Sequence, residues 1–487
     1  MIDHYAALYA SYQWLVPSRF NIAHMCLHRW TENASQARRP ALCVENGGGQ
    51  AGGAVIWTWQ QLSDTARQLS NGLLRMGVAP GERVVIAMDQ PAPFIAALMA
   101  VLGVQAVAVP LSSRLSLSQQ RLIMRQIQPR TALLDAVSGP ALLQGPPLGV
   151  GQIVGLGFEH EHIIPWRTLL ARQSTSFTPA PTRADTPALL CWPGPDSSTQ
   201  SHAGRPGQLF AHSALMGALP GVVCAQNWFE RPGAASDPAS DPASDLLSAP
   251  ARPDTLFWTS LDWASAPGLL AGVLPSLYLG HSVFASAVSA IERHTAASPV
   301  HDMLARHRVT HLLVEGETLH TLRQGGPNTG LAGAAPSSVR SVALHLGPHA
   351  RLPEHLLTAS EEDDQGAIAS AVVPNALFSL PQACAIIGQS RANWPARSGS
   401  VGRVYPGHLA AVLDEKGLPC PAGATGELVV SRYDIQGHPD PAWSLGDWQD
   451  GNLHAAPPSQ TGERLHTGLP ARMNPQGDIW LGGQGGA

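Results

Sequence analysis

Between residues 57 and 136 the sequence alternates helical and strand patterns, and few folds accept that rhythm. Thr58 opens a helix whose apolar residues recur at helical spacing through Leu74. A Gly77–Arg83 turn follows, then the short buried run Val84–Ala87. A second helix, the strand Ala106–Val109, a third helix and Thr131–Leu134 continue the pattern. Alternating units of this kind imply a parallel sheet with helices on both faces. The apolar stretch Phe94–Leu111 is broken by Gly103 and Gln105 and closed by Pro110. It reads as a buried helix, a turn and a strand rather than a membrane span.

A second α/β stretch is expected from about 187 to 390. It begins with the strand Ala188–Cys191 and a helix over Leu209–Ala218. Residues 254–294 then give strand, helix and strand, followed by His311–Val314 and Val339–Val342. Within it, Ala235–Asp245 repeats Ala-Ser-Asp-Pro, which cannot bury apolar surface and reads as a disordered insert at about 234–250. From about 398, Gly/Pro turns separate short strands such as His408–Leu413 and Gly426–Val430, with no helical period. The expected architecture is α/β, with two αβα parallel-sheet subdomains (1–186 and 187–397) and a small distorted β-barrel (398–487). A chain of 487 residues is long enough for such a division.

Composition excludes several functions. A net charge of −5 argues against a nucleic-acid or anionic-membrane surface. The six cysteines form no C-x-x-C pair, so reduced thiols, a cytoplasmic location and no zinc site are expected. The N-terminus lacks a signal-peptide pattern. His160–Glu161–His162 has no third ligand nearby and reads as a polar turn, and Glu361–Asp364 as a solvated acidic loop. Lys416 is the only lysine among 30 basic residues. A codon bias explains the scarcity, but arginine, with its planar fork, does not replace lysine at a point-charge phosphate site.

The segments Trp14–Ala23, Gly81–Val84, Phe257–Ala264, Ser398–Arg403, Gly423–Leu428, Leu445–Trp448 and His466–Gly468 form an ordered series of landmarks, and this series resembles AMP-forming acyl-CoA synthetases of the acetyl and medium-chain type, within the adenylate-forming superfamily. Trp14–Ala23 is similar to that family's opening segment, and Gly81–Val84 to its Gly-Asp-Arg-Val turn. Phe257–Ala264 resembles its Trp-Thr-Pro-Ala-Asp-Trp-Ala segment. Ser398–Arg403, Gly423–Leu428, Leu445–Trp448 and His466–Gly468 continue the series. The resemblance implies the N-terminal body of the adenylate-forming fold. It also implies an ancestral reaction in which carboxylate and ATP give an acyl-adenylate that CoA then consumes.

The motif positions that carry this chemistry are altered. The family's phosphate loop uses small residues, hydroxyls and a lysine to surround phosphate. Here Trp192–Gly207 lacks lysine and contains prolines, which donate no N–H; Ser197, Ser198 and Thr199 keep hydroxyls. Asn375–Gln382 aligns with the family's Asn-Glu-Phe-Tyr-Gly-Gln-Thr-Glu. Phe378 takes the place of the adenine-stacking tyrosine, and Gln382 that of the magnesium-binding glutamate. A neutral amide is a poor magnesium ligand. Thr467–Gly468–Leu469 stands where the family has Thr-Gly-Asp for the ribose, and Gly483–Gln484 where it has Gly-Arg. By the same resemblance Trp258, Asp262 and Trp263 line an acyl pocket. The family's mobile C-terminal domain is expected to be missing after Ala487.

Asn375, Phe378, Gln382, Thr467 and the three hydroxyls of the loop are thus candidates for a vestigial nucleotide site, with no catalytic residue and no metal ligand. Three readings follow: a non-catalytic binding or regulatory module, an atypical ligase completed by another chain, and a scaffold without ligand. The candidate ligands are AMP or an acyl-CoA, without magnesium. The candidate partners are a protein or a small adenine-containing molecule, with no nucleic acid and no membrane.

Overall fold

The computed structural model describes residues 2–45, 53–193, 205–227, 229, 254–286, 297–323, 338–348, 372–455 and 464–482. The insert at 234–250, Ser197–Thr199, Glu361–Asp364 and Gly483–Gln484 lie outside these residues.

Local signals set the first helices. Thr58 and Gln61 form a reciprocal capping box at the start of helix Trp59–Arg75, and Ser116 and Gln119 form another before Leu117–Ile127. Helix Pro91–Gly103 opens on proline and is apolar on every side, so it sits in the interior.

The strands assemble into two nine-stranded sheets and one four-stranded sheet. In the first sheet Arg83–Ala87 lies between Val107–Pro110 and Thr131–Asp135, all parallel. Gln152–Leu156 and Ile163–Pro165 extend one side. Pro187–Cys191 continues the other side in parallel, and Gly207–Ala211 pairs with it antiparallel. The second sheet is parallel through Leu256–Thr259, Ser282–Ala285, His311–Val314, Ser341–Leu346 and Asn375–Leu380. A curled antiparallel sheet joins Ala410–Leu413, Thr425–Ser431, Arg464–Met473 and Ile479–Leu481.

The sheets interleave across the chain rather than following contiguous segments. The early strands Pro40–Glu45 and Ala54–Thr58 belong to the second sheet, where Leu42 pairs with Val283. Pro187–Cys191 and Gly207–Ala211 belong to the first. The hairpin Gly446–Ala455 leaves the curled sheet and adds antiparallel to the edge of the first. The helix expected at Leu209–Ala218 is instead a strand to Ala211 followed by helix Ala214–Ala225. Gly207–Ala211 is buried along its whole length, and a short apolar run without period fits either state until its neighbours are known.

Three cores result. The central one lies between the two large sheets, with Ile86 and Leu133 on one side and Phe257 and Leu377 on the other. Helix Leu117–Ile127 covers the outer face of the first sheet through Ile123 and Met124. Met303, Leu304 and Leu319 cover the outer face of the second, where Val412 and Val430 of the curled sheet also pack.

The N-terminus locks the curled sheet onto this body. Arg403 binds Asp478 through Nε and Nη2, at 3.0 and 3.4 Å, and Asp3 through Nη1 at 2.8 Å. The Arg403 and Asp478 side chains are almost wholly buried. The Tyr5 hydroxyl donates to the Val404 carbonyl, that of Tyr9 to His408, and the Trp14 indole to Gly407.

Truncating Arg403 strands a buried carboxylate. Arg403→Ala is expected to lower unfolding free energy by about 3–5 kcal/mol in urea titrations; a loss below about 1 kcal/mol would contradict the buried pairing. At Gly388 an added Cβ would meet the Tyr405 hydroxyl at 2.1 Å and the Ala376 carbonyl at 2.4 Å. Neither can retreat in the core, so Gly388→Ala is expected to cost about 3 kcal/mol or more. Gly316→Ala, which meets nothing within 4 Å, is the control and should change stability by no more than about 0.5 kcal/mol.

Candidate functional site

Strand Asn375–Leu380 alternates its side chains between two cores, and that alternation decides what each motif residue does. Phe378 belongs to the outer core of the second sheet, where it is paired with Leu346 and Ile387 on the two neighbouring strands, and has no exposed surface. No face of its ring is open to a nucleotide. Asn375 points the other way, and its amide donates to the Ala225 carbonyl at 2.8 Å and to Asn227 Oδ1 at 2.9 Å. Its Oδ1 accepts from the Arg391 amide at 3.0 Å. This side chain holds the end of helix Ala214–Ala225, and its polar atoms are engaged within the protein.

After Leu380 the chain turns at Pro381–Gln382 and returns antiparallel as Ala383–Gly388, with Leu380 opposite Ala383. The turn is tied across the molecule. The Ser444 amide donates to the Gln382 carbonyl at 2.7 Å. Ser444 Oγ donates to Gln208 Oε1 at 3.0 Å, and Gln208 Nε2 donates to Asp447 Oδ1 at 2.8 Å. Ser444 and Gln208 are buried. One polar chain thus joins the second sheet, the strand that follows the family's phosphate loop, and the returning hairpin. The loop itself, with Ser197, Ser198 and Thr199, lies outside the described residues.

On the curled sheet, Thr467 Oγ1 donates to the Leu428 carbonyl at 2.6 Å and accepts from the Leu469 amide at 3.1 Å. The Leu469 side chain packs against the outer core of the second sheet. Gly468 has φ +69, and its amide donates to Glu427 Oε1 at 2.7 Å. His466 also binds Glu427, and these two bonds hold the Glu427 carboxyl below its usual range, His466 contributing more.

Of the three acyl-pocket candidates, the structure brings Asp262 and Trp263 to the seam between the sheets and leaves Trp258 in the outer core. Asp262 Oδ2 accepts from Ser112 Oγ, and Oδ1 accepts from the Ala264 amide at 2.9 Å. Trp263 packs on Phe94, with ring centroids 6.3 Å apart. Arg114 donates to the Ser260 carbonyl at 3.3 Å. Ser112 and Arg114 follow a parallel strand at its carboxyl end, where open α/β sheets place ligands; that position was the available sequence signal for them. Gln208 and Ser444 carried none, because their partners are 236 positions apart.

Two clefts adjoin this seam and share Leu115, Ile123, Trp192 and Pro193. One reaches Arg205 and the other Asp262 and Ser265. They enclose about 380 and 220 Å³, counting space open to solvent. Small-molecule pockets usually span about 300–1,000 Å³, so the first is at the low end of that range and the second below it. Among the described residues no group of three His, Cys, Asp or Glu side chains is placed to hold a metal ion. With Gln382 at the family's carboxylate position, the donor set does not fit magnesium. Among the described residues no helix is long and apolar enough to cross a membrane.

Comparison with known proteins agrees with this architecture. The profile of a family described as "AMP-binding enzyme" matches residues 30–193. An acetyl-coenzyme A synthetase of Nitrosomonas europaea is 23% identical over 446 residues, covering 86% of this chain and 61% of the relative. One of Thiobacillus denitrificans is 22% identical over 509 residues, covering 97% and 69%. The chain therefore spans roughly three-fifths to two-thirds of these relatives' lengths. An acyl-CoA synthetase of Brucella canis superposes with a TM-score of 0.78 at 18% identity, over 99% of this chain and 80% of that one. The anthranilate CoA ligase AuaEII, solved with anthranoyl-AMP, gives 0.74 at 18%, over 96% and 79%. Over residues 30–193 the chain is thus similar to AMP-binding enzymes, over most of its length it is similar to acetyl-coenzyme A synthetases, and its fold is that of the adenylate-forming N-terminal body.

Proposed function

We propose that this protein is a non-catalytic acyl-CoA synthetase-like module, acting by binding or regulation rather than by ligation. The observation that carries the reading is the fate of Leu469. Where the family grips ribose with a carboxylate, this side chain is half-buried and packs against the outer core of the second sheet. Two further observations support it. Phe378 has no exposed face for adenine, and the Gln382 turn is tied to Ser444 and, through it, to Gln208. Removing one preorganised group from a reacting centre costs about 10²–10³ in rate, and losses on one transition state do not simply multiply. Loss of the magnesium carboxylate and the ribose carboxylate together leaves little to stabilise an adenylating transition state.

Closure of the adenine position favours a scaffold that works through its surface over a nucleotide sensor. Purified protein incubated with ATP, magnesium and acetate through octanoate is expected to release no carboxylate-dependent pyrophosphate. Calorimetry with AMP is expected to show no binding that Phe378→Ala weakens. Pyrophosphate release above the blank would establish the atypical ligase instead, and AMP binding that depends on Phe378 would establish a nucleotide-sensing module. Leu469→Asp is expected to destabilise the fold by about 1–3 kcal/mol, because it places an ionisable group against an apolar core. Combining it with Gln382→Glu should not restore turnover.

A further inference from the structure

Phe229 lies between two buried histidines at the amino-terminal edge of the second sheet. Its ring centroid is 4.2 Å from that of His281 and 4.8 Å from that of His311, with Phe257 behind at 6.0 Å. His281 immediately precedes strand Ser282–Ala285, and His311 begins strand His311–Val314. Phe229 is 5% exposed, His281 1% and His311 7%. Among the described residues no side chain hydrogen-bonds to either ring nitrogen of His281. His311 Nδ1 is paired with Thr310 Oγ1 at 2.9 Å.

Phe229 also marks the end of an anchored exit. Helix Ala214–Ala225 closes with the Gln226 amide donating to Val222 and the Asn227 amide to Cys224. Gln226 Nε2 reaches the Leu312 carbonyl at 2.9 Å, in the residue next to His311. Asn227 sits at φ +51, the left-handed conformation that asparagine adopts after a helix end, and its Oδ1 accepts from Asn375. The Phe229 ring is the apolar contact that fastens this exit to the sheet edge.

We propose that Phe229, His281 and His311 form an acid-released latch, which pins the end of helix Ala214–Ala225 to the second sheet at neutral pH and frees it in acid. The chemistry of the surroundings points one way. Among the described residues, the charged groups facing the pair are cations: Arg39 beside His281 and Arg340 beside His311. Asp254, at the start of the adjacent strand, is engaged by Arg39 at 3.9 Å. The Phe229 main chain is the neighbour that favours a charged His281, and it does not outweigh burial. Burial first, then His311 and Arg39, hold the His281 pKa down to about 3. Burial, then Arg340, hold that of His311 down to about 4.

The sign follows. The closed form keeps both rings neutral, while the open form lets each titrate near the ordinary value of about 6.5. The latch is fully stable above that value and weakens as pH falls below it. At pH 5 each histidine raises the open population about 30-fold over neutral pH, and both together about 10³-fold.

Hydrogen–deuterium exchange, corrected for intrinsic rate, tests this on the whole chain. The amides of Gln226 and Asn227, which donate to Val222 and Cys224, should lose protection steeply between pH 7.5 and 5, ahead of those in strand Arg83–Ala87. His212, His28 and His345 are also buried, with pKa values held low by burial, so they make the whole fold acid-sensitive; the strand amides report that global component. In His281→Phe, which keeps an aromatic ring and removes one titration, the pH 5 effect should shrink by about 30-fold. The latch is refuted if protection at Gln226 and Asn227 is constant across this range. It is equally refuted if protection falls in step with the strand, or falls undiminished in His281→Phe. Should that variant not fold, the lead of Gln226 and Asn227 over the strand in the wild-type protein decides the matter.

Discussion

Arg403 is the residue on which the join between the large sheets and the curled sheet depends. Its guanidinium sits in the short strand Arg403–Val404 at the far edge of the second sheet. It takes Asp478 from the curled sheet and Asp3 from the N-terminus, and lies over the Tyr5 ring at 5.0 Å. A planar fork serves two carboxylates and a ring at once, which an ammonium group would not. The bonds reach partners 75 and 400 positions away. Such contacts reward the chain only after most of the fold has formed, because loop closure must come first. The hydroxyls of Tyr5 and Tyr9 and the Trp14 indole then fasten the N-terminal segment along Val404–His408. The curled sheet is held from behind by this strap and in front by Gly446–Ala455, which has crossed to the first sheet.

That crossing has a consequence for the seam between the sheets. A bound ligand could tie the three sheets by accepting bonds from each; here protein groups do so. Ser444 links Gln382 to Gln208, Gln208 links to Asp447, and Ser112 links the first sheet to Asp262 of the second. Buried polar groups must find partners, and a chain that satisfies them internally gains rigidity where an enzyme would keep donors free for substrate. Leu469 extends the same logic to the curled sheet. Scaffold stability and ligand capacity compete for the same atoms, and here Ser444, Gln208, Asp447, Ser112 and Asp262 are engaged within the protein.

Much of the fold was legible because its strands are short apolar runs spaced by good helices. The parallel strands at 83–87, 107–110 and 131–135 fall where the rhythm of the sequence puts them. What was not legible was membership. Pro40–Glu45 sits beside Ser282–Ala285, a pairing no local pattern encodes. Leu209 and Phe210 read as helix because apolar runs lack period when both faces are buried. For the candidate site the sequence offered motif positions, and orientation within a strand lay beyond it. Whether Phe378 faces a ligand or a core depends on one residue of register, since successive side chains alternate faces. The hydrogen bonds of Thr467 and Asn375, candidates for the vestigial nucleotide site, run to Leu428, Ala225 and Asn227.

The nearly lysine-free composition acquires a structural meaning from the contacts of arginine. Arg29, Arg83, Arg403, Arg432 and Arg472 stack on aromatic rings at 4.5–5.1 Å. Arg121 is buried and donates to the carbonyls of Leu142, Gln144 and Pro146. In these places a weakly hydrated, delocalised cation is better than an ammonium, because it surrenders less solvation and offers a flat face. A bias from lysine to arginine therefore costs the scaffold little and can strengthen it. The same bias is least tolerable where a compact charge must meet a phosphate. A chain that performed adenylation would feel selection against the change at those few positions, whereas one that keeps only the architecture would not. Arg205, standing beside Trp192 and Pro193 at the edge of the cleft, is where that distinction is sharpest. Arg205→Lys in a catalytic chain would be a repair, and in a scaffold it is a neutral surface change.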